Sequence, residues 1–401
     1  MRHKNAIPKE LPMLSLCSQT IGRCAVTVAI LLATGAGAQT ANPTKPVAQS
    51  VQLAAVRQDA AFTAAFNSWL AANDPLSAIL VVGHHGKVVF ARASNADVDG
   101  QSMIGSMSKA ITGACVATLI RDGKLSFTTR MREVLAEFFR RNGRPIDPRF
   151  EDVTVEQLLT HRSGLHDNSA DDPLLVIRKE RIAQHLAGVA EPQPLLASYL
   201  SRNMLVNVPG GKFAYSNTGY LTLAAVIEER SGRPFEEYCR DKVFVPLGLG
   251  SAGLNPDWRM LGGFGGWYIT GADYLKFYEI FDPAHPFLGE MVKSWIDSVH
   301  SRWGGGNEDE WYSLGVRTSA REGRWSVHHT GTLDWTGSDA RGQPIVAIIN
   351  SIASRTSSGT GIFIAVRRRP DVTSTATRSK VFDLHREIFQ IAIHSGPERR
   401  N

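Results

Sequence analysis

Three short stretches hold residue types that can carry out acyl transfer. Ser106-Met107-Ser108-Lys109 sets a hydroxyl and an amine at Ser-x-x-Lys spacing. On a helix, that spacing puts both side chains on one face, a turn apart. A serine hydroxyl is a poor nucleophile until a base takes its proton, and a lysine held beside it can be that base or can lower the pKa of another. A helix start also leaves backbone N–H groups free to face a reacting carbonyl. Taken locally, Ser106 fits equally well as the N-cap of a buried helix. In Pro209-Gly210-Gly211-Lys212-Phe213-Ala214-Tyr215-Ser216-Asn217, a glycine-rich turn delivers a phenol and a carboxamide to one place. Tyr215 suits a general base if a cation such as Lys109 lowers its pKa, and Asn217 suits a substrate carbonyl. A turn followed by a helix capped by Asn217 explains the same residues without chemistry. His329-Thr330-Gly331-Thr332 closes a predicted strand. Glycine there admits a close backbone approach. The N–H of Thr332 would join that of Ser106 in stabilising an oxyanion. A plain strand-end turn is the competing reading.

The elements that must position these stretches follow from periodicity. Phe62, Phe66, Trp69 and Leu70 mark one face of a helix beginning near Asp59. Ala78–Val82 and Lys87–Ala91 flank Gly83-His84-His85-Gly86, which predicts a hairpin with a four-residue turn. Ser106 to Ile120 is small or apolar all round, the mark of a buried helix. Thr154 and Gln157 fit a capping box, and Thr270 with Asp273 caps another helix. Residues 168–205 are helical in pattern, with breaks at Pro192 and Pro194. Strands dominate later: Trp311–Thr318 and Trp325–His329 about a Glu322-Gly323 turn, then Ile345–Ile349 and Ile362–Val366. Val381, Leu384, Ile388 and Ile391 space a closing helix. This order predicts an α+β fold. An antiparallel sheet flanked by helices is assembled from both chain ends, with a mostly α-helical lobe inserted at about residues 125–265. The domain is expected over residues 59–395, after a Pro-, Gln- and Ala-rich linker at 39–58.

In the order Ser-x-x-Lys, Tyr-x-Asn and His-Thr-Gly, about 109 and about 114 residues apart, the three stretches resemble the motif set of penicillin-recognising serine hydrolases. Leu158-Leu159-Thr160-His161-Arg162-Ser163-Gly164-Leu165 and Asp122-Gly123-Lys124-Leu125-Ser126 resemble segments of the class C β-lactamase-like family. That family includes D-Ala-D-Ala carboxypeptidases, D-aminopeptidases and family VIII esterases. The resemblance runs from about residue 60 to the closing helix. It implies a β-lactamase/transpeptidase-like fold, an α/β sandwich beside an all-α lobe with the site in the cleft between them. It implies that Ser106 attacks an ester or amide carbonyl and that Lys109 and Tyr215 share its proton, with Tyr215 the direct base. Asn217, His329, Thr330, Gly331 and Thr332 would bind substrate, with no cofactor or metal. His161, a family landmark, is expected to make a structural hydrogen bond. Where β-lactamases usually carry lysine, this chain has His329, which at its ordinary pKa is mostly neutral. This favours esters or small amides over efficient penicillin turnover. Asp334-Trp335-Thr336-Gly337 also departs from the small, glycine-rich continuation the family implies, and a second Gly-Thr element stands at Gly359-Thr360-Gly361.

Composition excludes several other classes. The 401 residues are 43% hydrophobic and 20% charged, with a formal charge of +6. Four basic residues against one acidic lie in the first 38, so the remainder carries only +3 and does not favour nucleic acid. Arg23 precedes the apolar run Ala25–Ala33, and Ala36-Gly37-Ala38 fits a cleavage site. The pattern predicts an export leader over residues 1–38, a periplasmic or secreted protein, and no membrane span once the leader is removed. Met13 is a plausible alternative start. After the leader only Cys115 and Cys239 remain, and Cys115, in an apolar helical run, is expected to be a buried free thiol. No Gly-x-Ser-x-Gly or His-Glu-x-x-His occurs, which removes α/β-hydrolases and zinc peptidases of those types. The remaining rival to a hydrolase of small molecules or short peptides is a silent family member that binds peptidoglycan peptides or a partner protein.

Overall fold

The computed structural model describes residues 45–167, 172–174, 176–177, 192–254, 256–297, 310–338, 344–369 and 374–395. The expected leader lies outside these residues. The labelled helices are α1 (Lys45–Asn73), α2 (Ser108–Arg121), α3 (Asn217–Ser231), α4 (Gly271–Tyr278) and α5 (Ser374–Ser395). The strands are β1 (Ser77–His84), β2 (Lys87–Ser94), β3 (Ser102–Met103), β4 (Gly253–Leu254), β5 (Trp267–Ile269), β6 (Glu310–Ser313), β7 (Val316–Arg321), β8 (Arg324–Ser338), β9 (Pro344–Thr356) and β10 (Thr360–Arg368).

The main sheet runs β2-β1-β10-β9-β8-β7-β6, with antiparallel neighbours throughout. The two N-terminal strands therefore join the five C-terminal ones through β1 and β10, as the sequence order predicts. Period-2 alternation fills both faces. Ala78, Leu80 and Val82, with Ile362, Ile364 and Val366, pack against Phe62, Phe66 and Trp69 of α1 and Val381, Leu384 and Ile388 of α5. Ile79, Val81, Phe363 and Ala365 face the other way, into the larger core shared with α2 and α4. β1 is covered on both faces, which is why it reads as an unbroken apolar run. A small sheet, β3-β5-β4, lies beside the start of α2. Between β3 and β5 the described residues are mostly helical.

Several local expectations need correction. α1 begins at Lys45, inside the stretch read as a linker, because nothing in its Ala- and Gln-rich composition opposes a helix. The first hairpin closes on two residues, His85 and Gly86, both at positive φ (47° and 70°), as a type I′ turn requires. A second such turn at Leu314 and Gly315 (49° and 80°) splits the strand expected over Trp311–Thr318 into β6 and β7. The Glu322-Gly323 turn stands as read, but β8 continues past His329 to Ser338. Pro194 lies inside a helix, Pro192–Leu200, rather than breaking it, as its fixed φ allows in a first turn, and the residue before Pro192 lies outside the described residues. Cys115 and Cys239 are not free thiols. They form a disulfide across 124 residues of chain, tying α2 to the short helix Phe235–Cys239. An apolar helical setting suits a thiol and a disulfide alike, so only the packing of the two helices decides.

Candidate active site

Ser106 sits in a single 3-10 turn, Gly105–Met107, between β3 and α2. Ser106 does not cap the helix: Met107 holds that position without a side-chain bond. The turn is fixed from both sides. The Ile104 N–H donates to the Trp267 carbonyl at 3.1 Å, the Ile104 carbonyl accepts from the Ser351 hydroxyl at 2.8 Å, and the Tyr274 hydroxyl donates to the Met107 carbonyl at 3.0 Å. Gly105 is at φ +53°, and a Cβ there would lie 3.2 Å from the Thr332 nitrogen. The serine turn and β8 thus meet backbone to backbone. Register pairs of β7 with β8 stop at Arg317↔His328. Among the described residues, the β7-side edge of β8 beyond His328 has no strand beside it. Thr332 lies on this stretch and is exposed, while Gly331 is buried.

Lys109, the second residue of α2, is fully buried. Its Nζ lies 3.2 Å from Ser106 Oγ, 2.8 Å from Asn217 Oδ1 and 3.3 Å from the Phe264 carbonyl oxygen. It also sits 4.7 Å from the ring centroid of Tyr215 and 5.4 Å from that of Phe264. Burial pushes the Lys109 pKa well below its ordinary value, opposed by the charge of Asp172. The structure therefore gathers Ser106, Lys109, Tyr215 and Asn217 into one small volume from a helix start and a distant turn. Asn217 is the first residue of α3, but the cap is Ser216, whose hydroxyl accepts from the Gly219 N–H. That leaves the Asn217 amide available to Lys109.

His161 is buried at φ +55°, and its Nδ1 accepts the Ser216 N–H at 3.1 Å. Its ring packs 4.3 Å from that of Tyr215, centroid to centroid. The expected structural hydrogen bond thus sets the turn that presents Tyr215 and Asn217. The His329 side chain is held within the core. Its ring is buried, with Nδ1 2.7 Å from the Thr330 carbonyl oxygen and Nε2 2.9 Å from the Tyr312 hydroxyl. A carbonyl only accepts, so Nδ1 carries the proton and Nε2 accepts from Tyr312. Burial, then the nearby Lys109 and Arg317 charges, lower its pKa well below the ordinary value, so the ring is neutral. Both nitrogens of the side chain expected to contact substrate are thus engaged within the core. The Trp335 side chain lies outside the described residues.

Four contributors escaped the sequence reading. The Phe264 carbonyl is a backbone group, which carries no residue-type signal, and the Ser351 hydroxyl reaches the Ile104 carbonyl from a strand 247 residues away. Tyr312 was legible only as a strand residue. Asp172 is buried, accepts the Leu174 N–H at 3.0 Å and faces the Asn217 amide nitrogen at 3.4 Å. Its one visible signal was an Asp-Pro pair opening a helical turn.

A family model described as Beta-lactamase matches residues 66–374, and the chain belongs to that family. Penicillin-binding protein 4 of Amycolatopsis lactamdurans is 27% identical over 206 residues, covering 43% of this chain and 48% of that protein. Esterase EstB of Burkholderia gladioli is 26% identical over 231 residues, covering 54% of this chain and 56% of that protein. The chain thus spans about half the length of these curated relatives. The structure of a D-amino acid amidase from Ochrobactrum anthropi SV3 superposes with a TM-score of 0.63 at 16% identity, covering 84% of this chain and 99% of that one. At that identity the likeness establishes the β-lactamase/transpeptidase-like fold.

Proposed function

We propose that the protein is a serine hydrolase that cleaves an ester or small amide through an acyl-enzyme on Ser106. The observation that carries this reading is the 3.2 Å separation of Ser106 Oγ from the fully buried Lys109 amine. An amine whose pKa burial depresses can be neutral near neutral pH and can accept a proton. Ser106 Oγ then bonds to the acyl carbon while its proton passes to Lys109 Nζ. The resulting ammonium has three acceptors for its three N–H bonds, in Ser106, Asn217 and the Phe264 carbonyl, and the Tyr215 ring face favours its charge. This contact supports Lys109 as the first acceptor, where the sequence reading has Tyr215 as the direct base, with the Tyr215 phenol relaying the proton to the leaving group. Backbone N–H groups of Ser106 and Thr332 face the oxyanion, each worth roughly 3–4 kcal/mol by comparison with similar donors. As the leaving group departs it takes the proton, and water, deprotonated the same way, releases the acid.

A neutral, buried His329 gives the substrate no cation at the position where a β-lactamase usually offers lysine. That supports neutral esters and amides over penicillins. The names of the esterase and amidase relatives agree with this, and a class C-type β-lactamase is the runner-up. Export to the periplasm or medium fits the leader pattern, and the Cys115–Cys239 disulfide suits an oxidising compartment. Wild type is expected to turn over p-nitrophenyl acetate and butyrate, and Ser106→Ala to lose both turnover and fluorophosphonate labelling. Labelling that survives Ser106→Ala moves the nucleophile elsewhere. Turnover of nitrocefin at rates matching the esters would favour the β-lactamase reading.

A further inference from the structure

We propose that Asp172 is a positioning residue for acylation, fixing the Asn217 amide so that its oxygen, not its nitrogen, faces Lys109. This rests on the reading of Ser106 and Lys109 given above. The two ends of an asparagine amide have nearly the same shape, and only their partners decide which way it points. Here Oδ1 meets Lys109 Nζ at 2.8 Å, while Nδ2 lies 3.4 Å from Asp172 Oδ2. Flipped, the amide would turn N–H bonds toward the ammonium that forms on Lys109 during acylation and an oxygen toward the Asp172 carboxylate, and both contacts would then repel. Asp172 is itself held. Its other oxygen accepts the Leu174 N–H at 3.0 Å, and the residue is 2% exposed. Asp172 thus acts on the reaction through Asn217 and touches neither the serine nor the acyl carbon.

The charge of Asp172 adds a second effect. Facing Lys109 are the rings of Tyr215, Tyr220 and Phe264, and buried His161 and His329. Facing Asp172 are Lys109, His166 and Tyr199. Among the described residues, Asp172 supplies the negative charge that favours the Lys109 ammonium. Burial pushes the Asp172 pKa up, and the Leu174 N–H, the Asn217 amide and the Lys109 charge pull it back. Lysine and carboxyl therefore titrate as a linked pair. Asparagine at position 172 leaves one acceptor for two N–H donors and removes the charge.

The test is the pH dependence of fluorophosphonate labelling of the full chain, for wild type, Asp172→Asn and Ser106→Ala. In Asp172→Asn the labelling rate at neutral pH is expected to fall about tenfold as Asn217 loses its orientation. The midpoint of the acid limb is expected to move down by about one pH unit, because the ammonium has lost its counter-charge. The midpoint is a property of each folded molecule, so a smaller folded fraction does not imitate the shift. Should Asp172→Asn not fold, Asp172→Ser, smaller and still an acceptor for Leu174, is expected to give the same shift. On p-nitrophenyl acetate kcat should fall while KM stays within about twofold. An unmoved midpoint overturns the proposal and leaves Asp172 a structural residue. So does a rise in KM confined to D-alanine amide, which would make Asp172 a reader of substrate ammonium. Labelling of Ser106→Ala is a different failure, since it removes the nucleophile reading and not the Asp172 geometry alone.

Discussion

Substituting Gly331 by alanine tests whether β8 must lie directly against the serine turn. A Cβ at Gly331 would stand 2.1 Å from the Ile104 carbonyl oxygen and 2.4 Å from Ser351 Oγ. Carbon and oxygen rest at about 3.3 Å or more, so strand and turn must part by about 1 Å. The Ser351–Ile104 bond that fixes the turn lies in the path of that movement. A displacement of this size near reacting groups costs on the order of a hundredfold in rate. Losing the Thr332 amide as an oxyanion donor would cost a hundred- to a thousandfold, or roughly 3–4 kcal/mol. Gly331→Ala should therefore lower kcat on p-nitrophenyl butyrate by about two to three orders of magnitude. Gly250→Ala, where nothing lies within 4 Å of the added carbon, should leave it unchanged. Melting temperature measured alongside shows whether the domain stays folded. A Gly331→Ala protein that melts like wild type and keeps kcat within threefold would refute the argument.

The disulfide closes 124 residues of chain, for which chain entropy allows about 5 kcal/mol, with about 2–4 kcal/mol typical of measured bridges. Cys115→Ala with Cys239→Ala should lower the melting temperature by about 3–6 °C. Unreduced wild type should take up no thiol reagent at these two positions, and uptake there would show the bridge is not formed. Asp147 is held at a pKa of about 2, first by its bond to Arg149 and then by the Leu205 and Arg149 amides, against the cost of burial. A depressed carboxylate contributes stability above its unfolded pKa and loses it as pH falls through the folded one. Asp147→Asn should therefore melt below wild type at pH 5, with the gap closing toward pH 2. A gap constant across that range would remove Asp147 as the cause.

The sheet was legible because β1 and β10 are apolar runs of strand length, and the capping residues Thr154 and Thr270 declared two helices outright. The candidate site was legible in its side chains. Ser106, Lys109, Tyr215 and Asn217 bear groups whose chemistry is visible in a letter code, and the fold brings them together. What was hidden depends on distance through space. Leu314-Gly315 lacks the usual turn residue at its first position, so β6 and β7 read as one strand. Cys115 found its partner only when two helices packed. Asp172, an acid beside a proline, became notable only when Asn217 arrived from 45 residues away.

His329 shows how much residue type alone leaves open. A histidine in the third motif reads as a substrate contact because lysine is one in β-lactamases. Lysine has a long flexible stem and must keep its charge solvated or paired, so it reaches into the cleft. Imidazole is short, can shed its charge, and has two nitrogens that a core can satisfy separately. Here Thr330 takes one and Tyr312 the other, and burial then favours the uncharged form. The consequence reaches Lys109. A cation at position 329 would oppose the ammonium that forms when serine gives up its proton, whereas a neutral ring leaves that charge to Asn217, the Phe264 carbonyl and the Tyr215 face. Losing a handle for carboxylates and easing the charging of Lys109 are thus two results of one change. The first of these supports the proposed preference for acyl groups that bring no charge of their own.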